Sequence, residues 1–170
     1  TNFSPGEGAH IQQSELCATC HTLFTTALDD QGQEVGVFPE QMPYMEWLNS
    51  EYKGSQSCQS CHMPVVDGPA PITSVLGEPR EAVSQHVFRG GNAFMLNILN
   101  KYRDELGVTA LPEELETAAA RTIEHLETST ANISIENVER AGSQLGFTIA
   151  IENLAGHKFP SAYPSRRVWL

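Results

Sequence analysis

The pattern of apolar positions is clearest in the second half of the chain. Over Asn92–Leu106 apolar side chains recur every three or four residues, and Gly107 is placed to end the helix that this spacing predicts. A second helix is predicted over Leu111–Thr128, with Pro112 near its first turn. The two apolar faces consist of Phe94, Met95, Ile98, Leu99, Tyr102 and Leu106, and of Leu115, Ala119, Ile123 and Leu126.

The pattern then changes to an alternation with a period of two. Ile133 and Ile135 stand two positions apart, as do successive members of the run Leu145, Phe147, Ile149 and Ile151, and Gly142 lies between the two runs. This alternation predicts a β-hairpin. A further strand-like run begins at Arg166–Leu170.

The first half of the chain has weaker periodicity. Ser14 is expected to cap a short helix that leads into Cys17, and a second short helix is expected over Tyr44–Tyr52. Asp29–Pro43 is rich in Gln, Gly, Asp and Pro and is predicted to be a loop, and Met63–Pro79 contains enough proline to be irregular. These patterns predict a mainly α fold with long irregular loops and a small C-terminal β element.

Charge and hydropathy exclude two classes of function. The formal net charge is −11, which argues against a nucleic-acid-binding protein because phosphates require a basic surface. The longest runs without a charged residue are too short for a transmembrane segment, which needs about 20 apolar residues. The chain begins at Thr1 and shows no signal-peptide pattern, so we expect a processed protein or a piece of a longer one.

All four cysteines lie in two copies of the pattern C-x-x-C-H. The copies are Cys17-Ala18-Thr19-Cys20-His21 and Cys58-Gln59-Ser60-Cys61-His62. This pattern is the attachment signature of c-type haem. Two thiols one helical turn apart reach both vinyl groups of a porphyrin, and the histidine that follows supplies the proximal imidazole. The sequence therefore predicts two covalently bound haems, with His21 and His62 as proximal ligands.

A four-cysteine zinc ribbon is the main alternative, since zinc sites share the CxxC pattern. Zinc, however, does not require a histidine after each second cysteine, and its occurrence in both places by chance has odds of roughly one in a thousand. The segment between Cys20 and Cys58 is also longer than in the common zinc ribbon. Covalent haem attachment takes place outside the cytoplasm, so we expect a periplasmic or extracellular protein.

Four further histidines are candidates for the distal position of a haem. His157 lies in a turn between Gly156 and Pro160, and His86 precedes the glycine-rich turn that leads into the Asn92 helix. His10 is too close to Cys17 to wrap around its own haem if the chain between them is helical, although it could reach a neighbouring haem. His125 lies among glutamates and is expected to be structural. The methionine alternatives are Met42, Met45, Met63 and Met95.

The chain resembles the bacterial multihaem c-type cytochromes, in particular those related to tetrahaem cytochromes and hydroxylamine-oxidoreductase-like proteins. The resemblance rests on the following segments: Ser14-Glu15-Leu16-Cys17-Ala18-Thr19-Cys20-His21, Glu46-Trp47, Ser57-Cys58-Gln59-Ser60-Cys61-His62-Met63-Pro64, His86-Val87-Phe88-Arg89-Gly90-Gly91-Asn92 and Gly156-His157-Lys158-Phe159-Pro160. It implies closely spaced bis-histidine haems that pass electrons, with His86 and His157 as distal ligands and His10 as a third. The chain differs from most members in having only two CxxCH motifs.

These observations predict a dihaem electron-transfer unit of a multihaem cytochrome. Residues 1–130 are expected to form a helical haem-binding region in which irregular loops wrap the haems. Residues 131–170 are expected to form a β-hairpin segment. Three histidines, His10, His86 and His157, are candidates for only two distal iron positions. This surplus indicates a third haem, supplied by further sequence or by a neighbouring subunit. Expected partners are redox proteins or neighbouring haems. The alternative is a haem enzyme with one open iron position that acts on a small nitrogen or sulfur compound, with Arg89, Lys158 or Arg166 holding an anion.

Overall fold

The fold combines helices and strands in comparable amounts. The computed structural model describes residues 6, 8–162 and 166–169. It is 32% helical and 24% strand, with two antiparallel two-stranded sheets. The prediction of a mainly α fold with long irregular haem-wrapping loops is therefore wrong. By packing, the chain forms two units, one from Thr1–Phe88 together with Gly156–Leu170 and the other from Arg89–Ala155.

The first unit contains only short elements. In chain order they are a 3₁₀ helix at Ala9–Gln12, α1 at Ser14–Ala18, β1 at Leu23–Leu28, β2 at Glu34–Gln41, α2 at Pro43–Leu48 and α3 at Cys58–His62. Ser14 is the first residue of α1 and Gln13 is its N-cap, so the prediction of Ser14 as the cap is wrong. The short helix predicted near Tyr44 is present as α2.

The hairpin of β1 and β2 accounts for the largest error in the predicted fold, because β2 occupies most of the predicted loop over 29–43. The Asp29 side chain closes the turn by accepting hydrogen bonds from the N–H groups of Gln31, at 2.9 Å, and Gln33, at 2.8 Å. Gly36 and Pro39 lower the strand propensity of β2, yet both positions pair with β1. A two-stranded sheet consists of edge strands, which tolerate a proline that a central strand would exclude.

The proline-rich stretch is irregular, as predicted. Two isolated antiparallel bridges, Val65 to Ser84 and Ala70 to Arg80, fold residues 65–84 back on themselves. This segment therefore has local order without a helix or a strand.

The second unit follows the sequence pattern closely. It contains α4 at Ala93–Lys101, α5 at Arg103–Leu106, α6 at Pro112–Ser129, β3 at Ala131–Ala141 and β4 at Gln144–Asn153. Gly107 ends α5 with φ of 64°, a left-handed conformation that suits glycine, and Gly142 has φ of 63° in the turn between β3 and β4. The predicted helix over 111–128 and the predicted hairpin are confirmed, whereas the helix predicted over 92–106 is divided at Tyr102 into α4 and α5. The described residues of the last run, 166–169, have no regular structure, and Leu170 lies outside the described residues.

Buried apolar side chains are scarce in the described part of the chain. The buried hydrophobic residues are Leu115 and Ala119, both on α6, which packs against α4. The buried residues of the first unit are Ser14 and Gln59, which are polar. Within the described residues the first unit therefore has no buried hydrophobic side chain of its own. No helix among the described residues is long and apolar enough to cross a membrane.

Candidate functional site

The two CxxCH motifs lie on two short helices. Cys17 is in the last turn of α1, and the N–H groups of Cys20 and His21 donate to its carbonyl oxygen at 3.1 and 2.9 Å. In the second motif Cys58–His62 form α3 itself, with Ser57 as the N-cap. The cysteines of each motif are therefore about one helical turn apart, which is the spacing that attachment to one porphyrin edge requires.

Two buried polar side chains join the motifs. The Ser14 hydroxyl, on a residue that is 2% exposed, accepts a hydrogen bond from the Cys58 N–H at 3.0 Å. The Gln59 side-chain amide donates to the carbonyl oxygens of Ile11 at 2.8 Å and Gln13 at 2.9 Å. Because both partners of Gln59 precede α1 and Gln59 is in α3, these bonds fix the two motif helices against each other.

The first thiol of each motif lies at this junction. Burial raises the pKa of the Cys17 thiol, and the neighbouring Cys58 thiol, which is within hydrogen-bond reach, raises that pKa further. All four cysteines are free thiols. Among the described residues, no group of three or more His, Cys, Asp or Glu side chains is placed to hold a metal ion.

His157 is held by α2 with one ring nitrogen directed at the backbone. Its Nδ1 lies 3.1 Å from the carbonyl oxygen of Pro43. Since a carbonyl oxygen can only accept, this contact places the proton on Nδ1 and the lone pair on Nε2. Burial lowers the pKa of His157, and His62 lowers it further, whereas Glu46 and the bond to Pro43 raise it. The balance favours the neutral imidazole, which is the form that binds a metal.

The ring of His157 lies beside the ring of His62 in the first unit. The ring centroids are 6.1 Å apart, and the ring planes make an angle of 50°. Two imidazoles whose nitrogens each lie about 2 Å from a shared metal have centroids about 6 Å apart. The structure thus brings together one predicted proximal histidine and one predicted distal histidine at the separation of a bis-imidazole pair.

The loop that carries His157 is packed closely against α2 and the turn that follows it. A Cβ atom at Gly156 would lie 3.3 Å from Cδ2 of Tyr52 and 3.5 Å from Cδ1 of Trp47. The Trp47 indole is itself fixed, because its Nε1–H donates to the carbonyl oxygen of Gln56 at 2.9 Å. The absence of a side chain at Gly156 therefore allows the loop to approach the Tyr52 ring closely.

The other predicted ligands are not brought together in this way. The ring of His86 contacts the ring of Phe88 at 5.7 Å. His10 is exposed in the 3₁₀ helix, and among the described residues neither His86 nor His10 makes a ring contact or hydrogen bond with His21. The distal ligand of the first motif therefore stays a prediction, as do the methionine alternatives. His125 is in α6, in the second unit.

The cationic side chains of the enzyme alternative lie in different settings. Lys158 and Arg166 are exposed, and Arg89 is half-buried. Lys158 and Arg166 belong to the first unit and Arg89 to the second.

The sequence pattern did not predict the contacts by which four residues support the site. Glu46 accepts hydrogen bonds from the loop after His157, Pro43 accepts from His157 itself, and Ser14 and Gln59 join the motif helices. The partners of Glu46 and Pro43 are more than 100 positions away, so no local spacing pattern indicated them. Compared with protein-family models, with curated proteins and with solved structures, the chain gives no match in any of the three.

Proposed function

We propose that this chain transfers electrons through two covalently bound c-type haems, as a unit of a multihaem cytochrome. Cys17 and Cys20 would hold one haem and Cys58 and Cys61 the other, with His21 and His62 as proximal ligands. Each haem, when bound, supplies an iron centre that accepts and releases one electron. The residues present fit two such groups, because each CxxCH motif has its thiols one helical turn apart and its histidine directly after them.

The pairing of His62 with His157 is the observation that carries this proposal. A centroid separation of 6.1 Å and an Nδ1 proton engaged by Pro43 suit two Nε2 atoms that bind one iron from opposite sides. Two imidazole ligands leave no iron position for a substrate, so the second haem is suited to electron transfer rather than to ligand chemistry.

The junction of the two motifs supports transfer between the haems. Cys17 and Cys58 are neighbours, and Ser14 and Gln59 hold their helices together. Each of these cysteines would bond to a vinyl group at the edge of its own porphyrin. Attachment at adjacent thiols would therefore bring an edge of each porphyrin to the same junction, and electron transfer is fast when cofactor edges are close.

The exposure of apolar side chains in the first unit also supports the proposal. Ile11, Leu16, Phe24, Val65 and Phe88 are each between 45% and 62% exposed. A porphyrin is a large apolar surface, and its contact with such side chains would supply the burial that the chain does not achieve by itself. Attachment by thioethers further implies a periplasmic or extracellular location, with a redox protein or a neighbouring haem as the partner.

Haem content and covalent attachment test this function. The chain, produced with a cytochrome c maturation system, should carry two haems by pyridine haemochrome assay and by intact mass after acid denaturation. Cys20→Ala and Cys61→Ala should each lose one thioether, whereas Ser60→Ala, a change inside the second motif, should keep all four. A protein that binds zinc and no haem, or variants that retain two complete bis-thioether haems, would overturn the proposal.

A further inference from the structure

A buried carboxylate holds the segment that follows His157. The side chain of Glu46, in α2, is 6% exposed. It accepts hydrogen bonds from the Ser161 hydroxyl at 2.9 Å and from the Ala162 N–H, whose nitrogen lies 3.1 Å from Oε1 and 3.3 Å from Oε2. Burial of a carboxylate is costly unless donors surround it, and here both donors come from the loop of His157.

The same carboxylate lies beside the imidazole. Oε2 of Glu46 is 3.6 Å from Nδ1 of His157, the nitrogen that donates to Pro43. Pro43 and Glu46 are both in α2, one turn apart, so this helix contacts the ring through a carbonyl oxygen and a negative charge. A neighbouring carboxylate fixes the orientation of a ligating histidine and makes its other nitrogen a stronger donor to a metal.

We infer that Glu46 is a positioning residue for the distal ligand of the second haem. It would act in two ways: its hydrogen bonds to Ser161 and Ala162 fix the loop, and its charge increases the electron donation of His157. This inference rests on the proposed function, since it assumes that His157 binds iron. It goes beyond that function because it assigns to Glu46 an influence on how strongly His157 binds iron and on the reduction potential of the second haem.

The two actions are separable by substitution. Glu46→Gln keeps a side-chain oxygen that can accept from Ala162 but removes the charge beside Nδ1. Glu46→Ala removes both the charge and the hydrogen bonds. Glu51→Gln is a matched control, because Glu51 is an exposed carboxylate just after α2.

The test uses the haem-loaded protein, with spin state, carbon monoxide binding and a redox titration as readouts. Glu46→Ala should shift the balance between bound and dissociated His157 by about tenfold, which gives a high-spin fraction at one haem and binding of carbon monoxide there. Glu46→Gln should remain low-spin but raise the reduction potential of one haem. Glu51→Gln should match the wild type in all three readouts.

The outcomes separate this inference from the proposed function. If His157→Ala does not open an iron to carbon monoxide, the ligand assignment itself is wrong. If His157→Ala opens one haem but Glu46→Gln has an unchanged potential, the charge of Glu46 has no influence on the ligand and the inference is overturned. Glu46→Gln decides the question even if Glu46→Ala fails to accumulate with both haems.

Discussion

The rings of His62 and His157 are neighbours in the first unit, with their centroids 6.1 Å apart, although one residue ends α3 and the other lies in a loop near the end of the described chain. Pro43 and Glu46 on α2 hold the second ring in this position. The pair is assembled from three separate parts of the sequence. Its geometry depends on the hydrogen bond between His157 and Pro43 and on those from Ser161 and Ala162 to Glu46.

Removal of the Ser14 hydroxyl should weaken the junction between the motifs. Ser14→Ala leaves the Cys58 N–H without its acceptor at a buried position, which costs about 1–3 kcal/mol of unfolding free energy. Urea denaturation of the haem-loaded protein measures this loss. Ser55→Ala is the control, because Ser55 is exposed and bonds only to the nearby carbonyl of Tyr52, so its effect should be within about 0.5 kcal/mol. Equal stability of the two variants would contradict the role of Ser14.

A larger side chain at Gly156 should displace the His157 loop. A Cβ atom there already lies 3.3 Å from the Tyr52 ring, so the branches of Gly156→Val would overlap Tyr52 or Trp47 and destabilise the protein by about 1–3 kcal/mol. The spectrum should show a high-spin fraction at one haem. Gly146→Val is the control for the glycine-to-valine change, because the nearest atom to a Cβ at Gly146 is a carbonyl oxygen 4.0 Å away. Its spectrum should match that of the wild type. A wild-type spectrum for Gly156→Val would show that the close packing is unnecessary.

Loss of haem should affect the two units unequally. The first unit has no buried hydrophobic side chain among its described residues, whereas α6 buries Leu115 and Ala119. In the haem-free chain, amide hydrogen exchange should be fast throughout α1–α3 and slower in α4 and α6. Strong protection of α1–α3 without haem would mean that the polar contacts of Ser14 and Gln59 are sufficient to fold this unit.

The elements that sequence reasoning predicted correctly have strong local signals. The helices α4 and α6 have apolar residues at helical spacing, and the turns at Gly107 and Gly142 require the left-handed conformation that glycine adopts readily. The strand β2 was missed because Gly36 and Pro39 interrupt its alternation, and only its pairing with β1 makes it a strand.

In the site, too, the features encoded by neighbouring residues could be predicted, whereas the contacts between residues far apart in the sequence could not. The CxxCH motifs are local patterns that the sequence shows directly, and Gly156 and Pro160 mark the turn around His157. The partner of His157 could not be predicted, since nothing in the spacing favours His62 over His21. The sequence places Glu46 only beside Trp47 in the family resemblance, because its hydrogen bonds to Ser161 and Ala162 exist only in the folded chain.

The spin state of His157→Ala tests the central claim most directly. Loss of this imidazole should leave the iron of the second haem with His62 as its only nitrogen ligand from the protein, so that one haem of the two becomes high-spin and binds carbon monoxide. His125→Ala, which removes a histidine from α6 in the second unit, should leave the spectrum unchanged. A fully low-spin His157→Ala protein that does not react with carbon monoxide would contradict the assignment of His157 as the distal ligand.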